Sequence, residues 1–293
     1  MLLAVLGVLA LAIGYLAFRG ARSPLRPLLV PLAAWRLALA SWRFNRKVLL
    51  AISALILFSA ALQVYFVNAS GYDAQVLQFF SIAWQALVAA LSAAIAAPLH
   101  LFVIHGFWRA RVADPAEGGR KLTPLMLRAA AFGLAIWIFD YLVGVATKIV
   151  TLSTDPNFRQ AEYAGLVLAS FALTSLLALV RPSLSLGLRH PFRTGIGMAA
   201  KNALALYVVL AVLAIPASVL GPEATLLPRL LIRSRPMASL VSVALISALN
   251  VFQYLAVEIA TVLFALGVVQ RATDEARTAA GLEARDLPLP ATR

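Results

Sequence analysis

Two carboxylates stand where a carboxylate is costly. Asp140 sits in the middle of IWIFDYLVG (136–144), inside an apolar run from 129 to 150. Glu258 lies in a second run, 238–270, on a polar stripe. Ser247, Asn250, Tyr254, Glu258 and Thr261 follow one another there at spacings of three, four, four and three, which is one face of an α-helix. A second stripe, Gln78, Ser81, Gln85 and Ser92, recurs at three, four and seven in a third run. An acid in such a setting joins helices through hydrogen bonds, or it marks a proton or substrate path. The candidate intramembrane polar site is therefore Asp140 and Glu258, with Tyr254, Asn250, Ser247, Thr261 and Gln85 around them.

Helical geometry orients Asp140. At about 100° per residue, Gly133, Ile136, Gly144 and Thr147 fall within about 40° of it. Ile138, Leu142, Val145 and Ile149 occupy the opposite face. Small residues mark helix contacts in lipid, so Asp140 is expected to face protein. Asp140 lies 12 residues from Arg128, and Glu258 lies 13 from Arg271. At ~1.5 Å per residue, both sit roughly 18–20 Å from the basic edge. A pairing of the two acids across a bundle is the resulting hypothesis, with a proton shared to offset their repulsion.

Other chemistry is thinly represented. His100 and His105 are five residues apart, about 140° on a helix, and so form no common metal face. Both are expected at headgroup level. The absence of cysteine removes thiolate metal sites and cysteine nucleophiles. There is no phosphate-cradling glycine loop, nucleophile elbow or kinase set. No catalytic, metal or cofactor residues are assigned, and a non-enzymatic role is expected.

The elements that carry these residues follow from composition. Of 293 residues, 62% are hydrophobic and 13% charged, against about 45–50% and 25% in soluble domains. An all-α, polytopic helical bundle in a membrane is expected. A span needs about 20 apolar residues, and seven runs qualify: 1–18, 48–68, 75–104, 129–150, 164–180, 203–220 and 238–270. The first is either an uncleaved anchor or a signal-like segment, so six or seven spans result. Its arginines follow the apolar run instead of preceding it, the reverse of the usual signal order.

Lysine and arginine decide the orientation. Segments 19–47, 105–128, 181–202 and 271–293 carry 7, 5, 4 and 4 of them. The alternate segments 69–74, 151–163 and 221–237 carry 0, 1 and 3. The first set is cytoplasmic by the positive-inside rule, and the C-terminus with it. Arg229, Arg233 and Arg235 in LLPRLLIRSRP read as an interfacial helix on the other side. The net charge of +13 thus points to anionic headgroups, and nucleic acid is not an expected partner.

Four regions follow: 1–18 as anchor or signal-like span, 19–47 as a cytoplasmic amphipathic segment, 48–270 as the bundle, and 271–293 as a cytoplasmic tail. In the second, Trp35, Leu39 and Trp42 share one face while Arg36, Arg43 and Lys47 share its neighbour. That pattern suits a helix in the headgroup layer, or the inner end of the next span.

Three stretches resemble a known group: PLHLFVIHGFWRAR (98–111), LTPLMLRAAAFG (122–133) and LVRPSLSLGLRHPFRTGIGMAAKNALALYVVLAVLAIP (179–216). Their order and character resemble six-helix bacterial inner-membrane proteins related to the membrane domain attached to some glycerophosphodiester phosphodiesterases. The resemblance implies fold and inner-membrane location. The diesterase domain has no counterpart among these residues, so no active site is carried over.

The leading functional expectation is an inner-membrane protein that acts non-enzymatically through lipid or protein partners, with homo-oligomers among the possibilities. The alternative is a small secondary transporter or channel using Asp140 and Glu258 as buried proton-linked carboxylates. A membrane enzyme ranks third, because neither acid has an evident base, metal or nucleophile beside it in sequence.

Overall fold

A computed structural model describes residue 19 and residues 25–44, 46–68, 74–108, 115–153, 174–232 and 234–279. Among the described residues the secondary structure is helical, with no strand. The elements are α1 (Leu29–Phe44), α2 (Arg46–Asn68), α3 (Ala74–Trp108), α4 (Pro115–Ser153), α5 (Val180–Ser185), α6 (Pro191–Lys201), α7 (Ala203–Leu231) and α8 (Arg235–Ala279). The expected spans 1–18 and most of 164–180 lie outside the described residues, as do residues 280–293.

Among the described residues, four helices are long and apolar enough to cross a membrane: Gln78–Ile104 of α3, Leu122–Val145 of α4, Ala203–Pro228 of α7 and Met237–Glu275 of α8. The 45 residues of α8 extend ~68 Å at about 1.5 Å each, well beyond a ~30 Å hydrocarbon core. Its last turns are polar, and Arg271 pairs with Glu275 at 2.7 Å there.

The helix α8 is the mast of the bundle, packed on α7, α1, α2 and α3. Its inward residues are Leu255, Ala256, Ile259, Ala260, Phe264 and Ala265, all 2% exposed or less. Alanines four apart let helices approach closely where lipid offers no hydrophobic gain for larger side chains. Ala34 and Ala38 of α1 follow the same rule and join this core. The amphipathic segment is thereby docked on the bundle through its alanine face, leaving Arg36 exposed.

A second seam joins α3 to α4. Gly133 is buried there, and a Cβ at this position would lie 2.4 Å from the Ala93 Cβ and 2.8 Å from the Ala89 carbonyl oxygen. Ile138, Leu142 and Val145, on the far side of α4, are exposed. The arginine-rich stretch 226–236 is not a separate interfacial helix. Instead α7 runs on to Leu231 through three internal prolines, and α8 begins at Arg235.

Candidate functional site

The polar centre is assembled from α3, α5 and α8. Glu258 on α8 is 3% exposed and both of its carboxylate oxygens are engaged. Oε2 lies 2.9 Å from His100 Nε2, and Oε1 lies 2.8 Å from Arg181 Nη2. The other ring nitrogen of His100, Nδ1, is 2.9 Å from the Ser185 hydroxyl oxygen. His100 itself is 1% exposed. A neutral imidazole donating from Nε2 to Glu258 would accept from Ser185, while an imidazolium would donate to both.

Local structure places each member. His100 stands two residues after Pro98, inside α3. The short helix α5 carries both Arg181 and Ser185, and its end is fixed by Gly187 at φ 69°. Gly187 N–H donates to the Leu184 carbonyl, and Leu188 N–H donates to that of Ser183, the paired closure that a left-handed glycine permits. The helix α6 then folds back on α5. A Cβ at Gly195 would lie 2.7 Å from Val180 Cα and 2.9 Å from the Leu179 carbonyl oxygen. Only glycine lets α6 press on the backbone beside Arg181.

Neighbouring groups of α8 tie in the same region. Tyr254, one turn before Glu258, donates its hydroxyl hydrogen to the backbone carbonyl of Ser92. The Thr261 hydroxyl donates to the Glu258 carbonyl at 3.0 Å. Ser247 is buried further along the same helix. Asn250 and Gln85, by contrast, are exposed. Gln85 donates to its own-helix neighbour Ser81 at 3.3 Å. These two belong to the stripes by spacing and are outside the buried cluster in space.

Asp140 occupies a different setting. Its Oδ1 accepts from the Thr174 hydroxyl at 3.2 Å. It lines a cavity of about 180 Å³ between α3, α4 and α5, together with Ser92, Trp137 and Arg181. Ala89, Gly133 and Ile136 form the remaining wall. Among the described residues no hydrogen bond joins Asp140 to Glu258, and no ion pair joins Asp140 to Arg181. The hypothesised direct pairing of the two acids is thus replaced by an indirect one. Arg181 holds Glu258 and also borders the cavity that Asp140 faces.

Two further residues belong to the site. His100 is 1% exposed and bonded to Glu258, a partner the sequence did not indicate. Arg181, read in sequence as a topological charge, is the centre of the site. The missed signal was an arginine directly before a proline at the end of an apolar run, which hydropathy alone scores as an edge. The side chain of His105 lies outside the described residues.

Ser185, His100 and Glu258 are the residue types of a charge-relay triad, but the cavity beside them is lined by Arg181 and Asp140 and not by Ser185. Among the described residues no group of three or more histidine and acidic side chains could hold a metal. The arrangement is suited to exchanging protons and ion-pair partners. Comparison with family models, curated proteins and solved structures finds no match.

Proposed function

We propose that the chain is a polytopic inner-membrane protein of six or seven spans, its C-terminus on the basic inner side, that acts without catalysing bond chemistry. Its activity is proton-linked transport, with Glu258 and Asp140 as the carboxylates and Arg181 as the group they compete for. The observation that carries this reading is Arg181, which is 25% exposed, reaches Glu258 at 2.8 Å and borders the cavity containing Asp140. When Arg181 turns toward Asp140, Glu258 loses its counter-charge and takes a proton, with His100 beside it as donor or acceptor. When Arg181 returns, the proton leaves.

The test is proton flux into vesicles reconstituted with the full chain, read by an entrapped pH dye under an imposed potassium-diffusion potential. Wild-type protein conducts, and Glu258→Gln and Asp140→Asn each lower the flux at least tenfold. Wild-type flux in both variants, or none in the wild type, defeats the transport reading.

The basic inner face supports a lipid-partner reading alongside. Helix α6 buries Gly195, Met198 and Ala199 while Arg189, Arg193 and Lys201 around it are exposed. Anionic headgroups are the matching partners. Mass spectrometry of co-purified lipid checks this, since replacing Arg189 and Arg193 by alanine should deplete bound anionic lipid.

A further inference from the structure

The cavity beside Arg181 has a composition that the proton step alone does not explain. It presents a carboxylate from α4, a guanidinium from α5, a serine from α3 and an indole from α4. Opposite charges that line one partly open cavity attract, yet among the described residues Asp140 and Arg181 form no ion pair. Each is tied elsewhere, Asp140 to Thr174 at 3.2 Å and Arg181 to Glu258 at 2.8 Å. Gly133 lines the cavity where α4 meets α3, and the Trp137 ring beside it stacks on Tyr141 with centroids 5.4 Å apart.

The volume of about 180 Å³ equals roughly six waters at ~30 Å³ each, and is below the ~300–1,000 Å³ of sites for drug-sized ligands. A small solute that spans the gap must offer an anion to Arg181 and a hydrogen-bonding cation to Asp140. A planar oxyanion matches the fork of a guanidinium, and a primary ammonium beside Asp140 would also sit against the Trp137 face.

We propose that this cavity binds a small zwitterion carrying a primary ammonium and an acidic oxyanion, such as a free α-amino acid or an ethanolamine phosphate headgroup. The inference rests on the transport reading for its coupling. The ligand oxyanion draws Arg181 from Glu258, and Glu258 then takes the proton that travels with the solute. Binding itself needs only the cavity.

The experiment is calorimetric titration of the full chain in phosphatidylglycerol nanodiscs with alanine, ethylammonium and propionate, the last two supplying one charge each. Alanine is expected to bind at least tenfold more tightly than either half. Asp140→Asn should abolish that preference while keeping the wild-type melting temperature within a few degrees, so loss by misfolding is recognisable. Nanodiscs containing phosphatidylethanolamine separate the two sources. Inhibition of alanine binding there assigns the site to the headgroup, and unchanged binding assigns it to the soluble solute. Equal binding of alanine and ethylammonium, equal binding of alanine and propionate, or no binding of any of the three overturns the proposal. Zwitterion binding without proton flux would retain the site and sink the transport reading. Glu258-dependent flux without zwitterion binding would do the reverse.

Discussion

Glu258 and Asp140 are two acids of the same kind, on two helices of spanning length, and their surroundings differ in nearly every respect. Glu258 is closed in, with His100 on one oxygen and Arg181 on the other. Asp140 looks into a cavity and, among the described residues, accepts from the Thr174 hydroxyl at 3.2 Å. The difference teaches that hydropathy and depth do not define a buried carboxylate. The number and charge of the groups it meets do. A saturated acid is open to a proton only when one of its partners leaves, and an open one is available to a proton or a solute directly. Arg181, shared between the two surroundings, is what makes them one system.

Unpairing the closed acid has the largest expected effect. Truncating either His100 or Arg181 to alanine leaves Glu258 buried with half of its partners, a change that costs about 3–5 kcal/mol in comparable pairs. Unfolding in mixed detergent titrations should show that loss, and a replacement of Glu258 by Gln should be milder than either. If His100→Ala unfolds at the wild-type point, the cluster is not the brace described here.

Next in size is the backbone contact that positions Arg181. Gly195→Ala puts a methyl group 2.7 Å from Val180 Cα, and overpacking of that kind costs about 1–3 kcal/mol. It should also displace Arg181 and lower proton flux. Gly197→Ala, where an added Cβ meets nothing within 4 Å, is the matched control and should leave both stability and flux unchanged.

Accessibility sharpens the contrast further. The chain has no cysteine, so single substitutions report one position each. Asp140→Cys should react with a water-soluble thiosulfonate at least tenfold faster than Glu258→Cys. Equal rates would dissolve the distinction between an open and a closed acid.

The smallest effect is expected at Gln85. Its exposed bond to Ser81 is 3.3 Å long, and Gln85→Ala should change stability by less than about 0.5 kcal/mol. A larger loss would mean that the polar stripe on α3 has a partner of its own.

Sequence and structure divide the account along a physical line. Helical character, the apolar runs and the polar stripe through Tyr254, Glu258 and Thr261 were legible from residue type and period, because backbone hydrogen bonds and burial impose them locally. The small-residue face around Asp140 was legible for the same reason, and Gly133 does lie in the α3–α4 contact. What joins to what was not legible. His100 and Glu258 are 158 residues apart, and His100 and Ser185 are 85 apart. Nothing local in APLHLFVIH marks the first of its histidines as buried. Gln85 and Asn250 have the right spacing and face outward, since period fixes a face and only packing fixes which face is inside. Arg181 illustrates the limit most clearly. A charge at the end of an apolar run satisfies a topology rule by its position, and a turn closed by Gly187 together with a helix pressed on at Gly195 decides that its side chain reaches inward to Glu258.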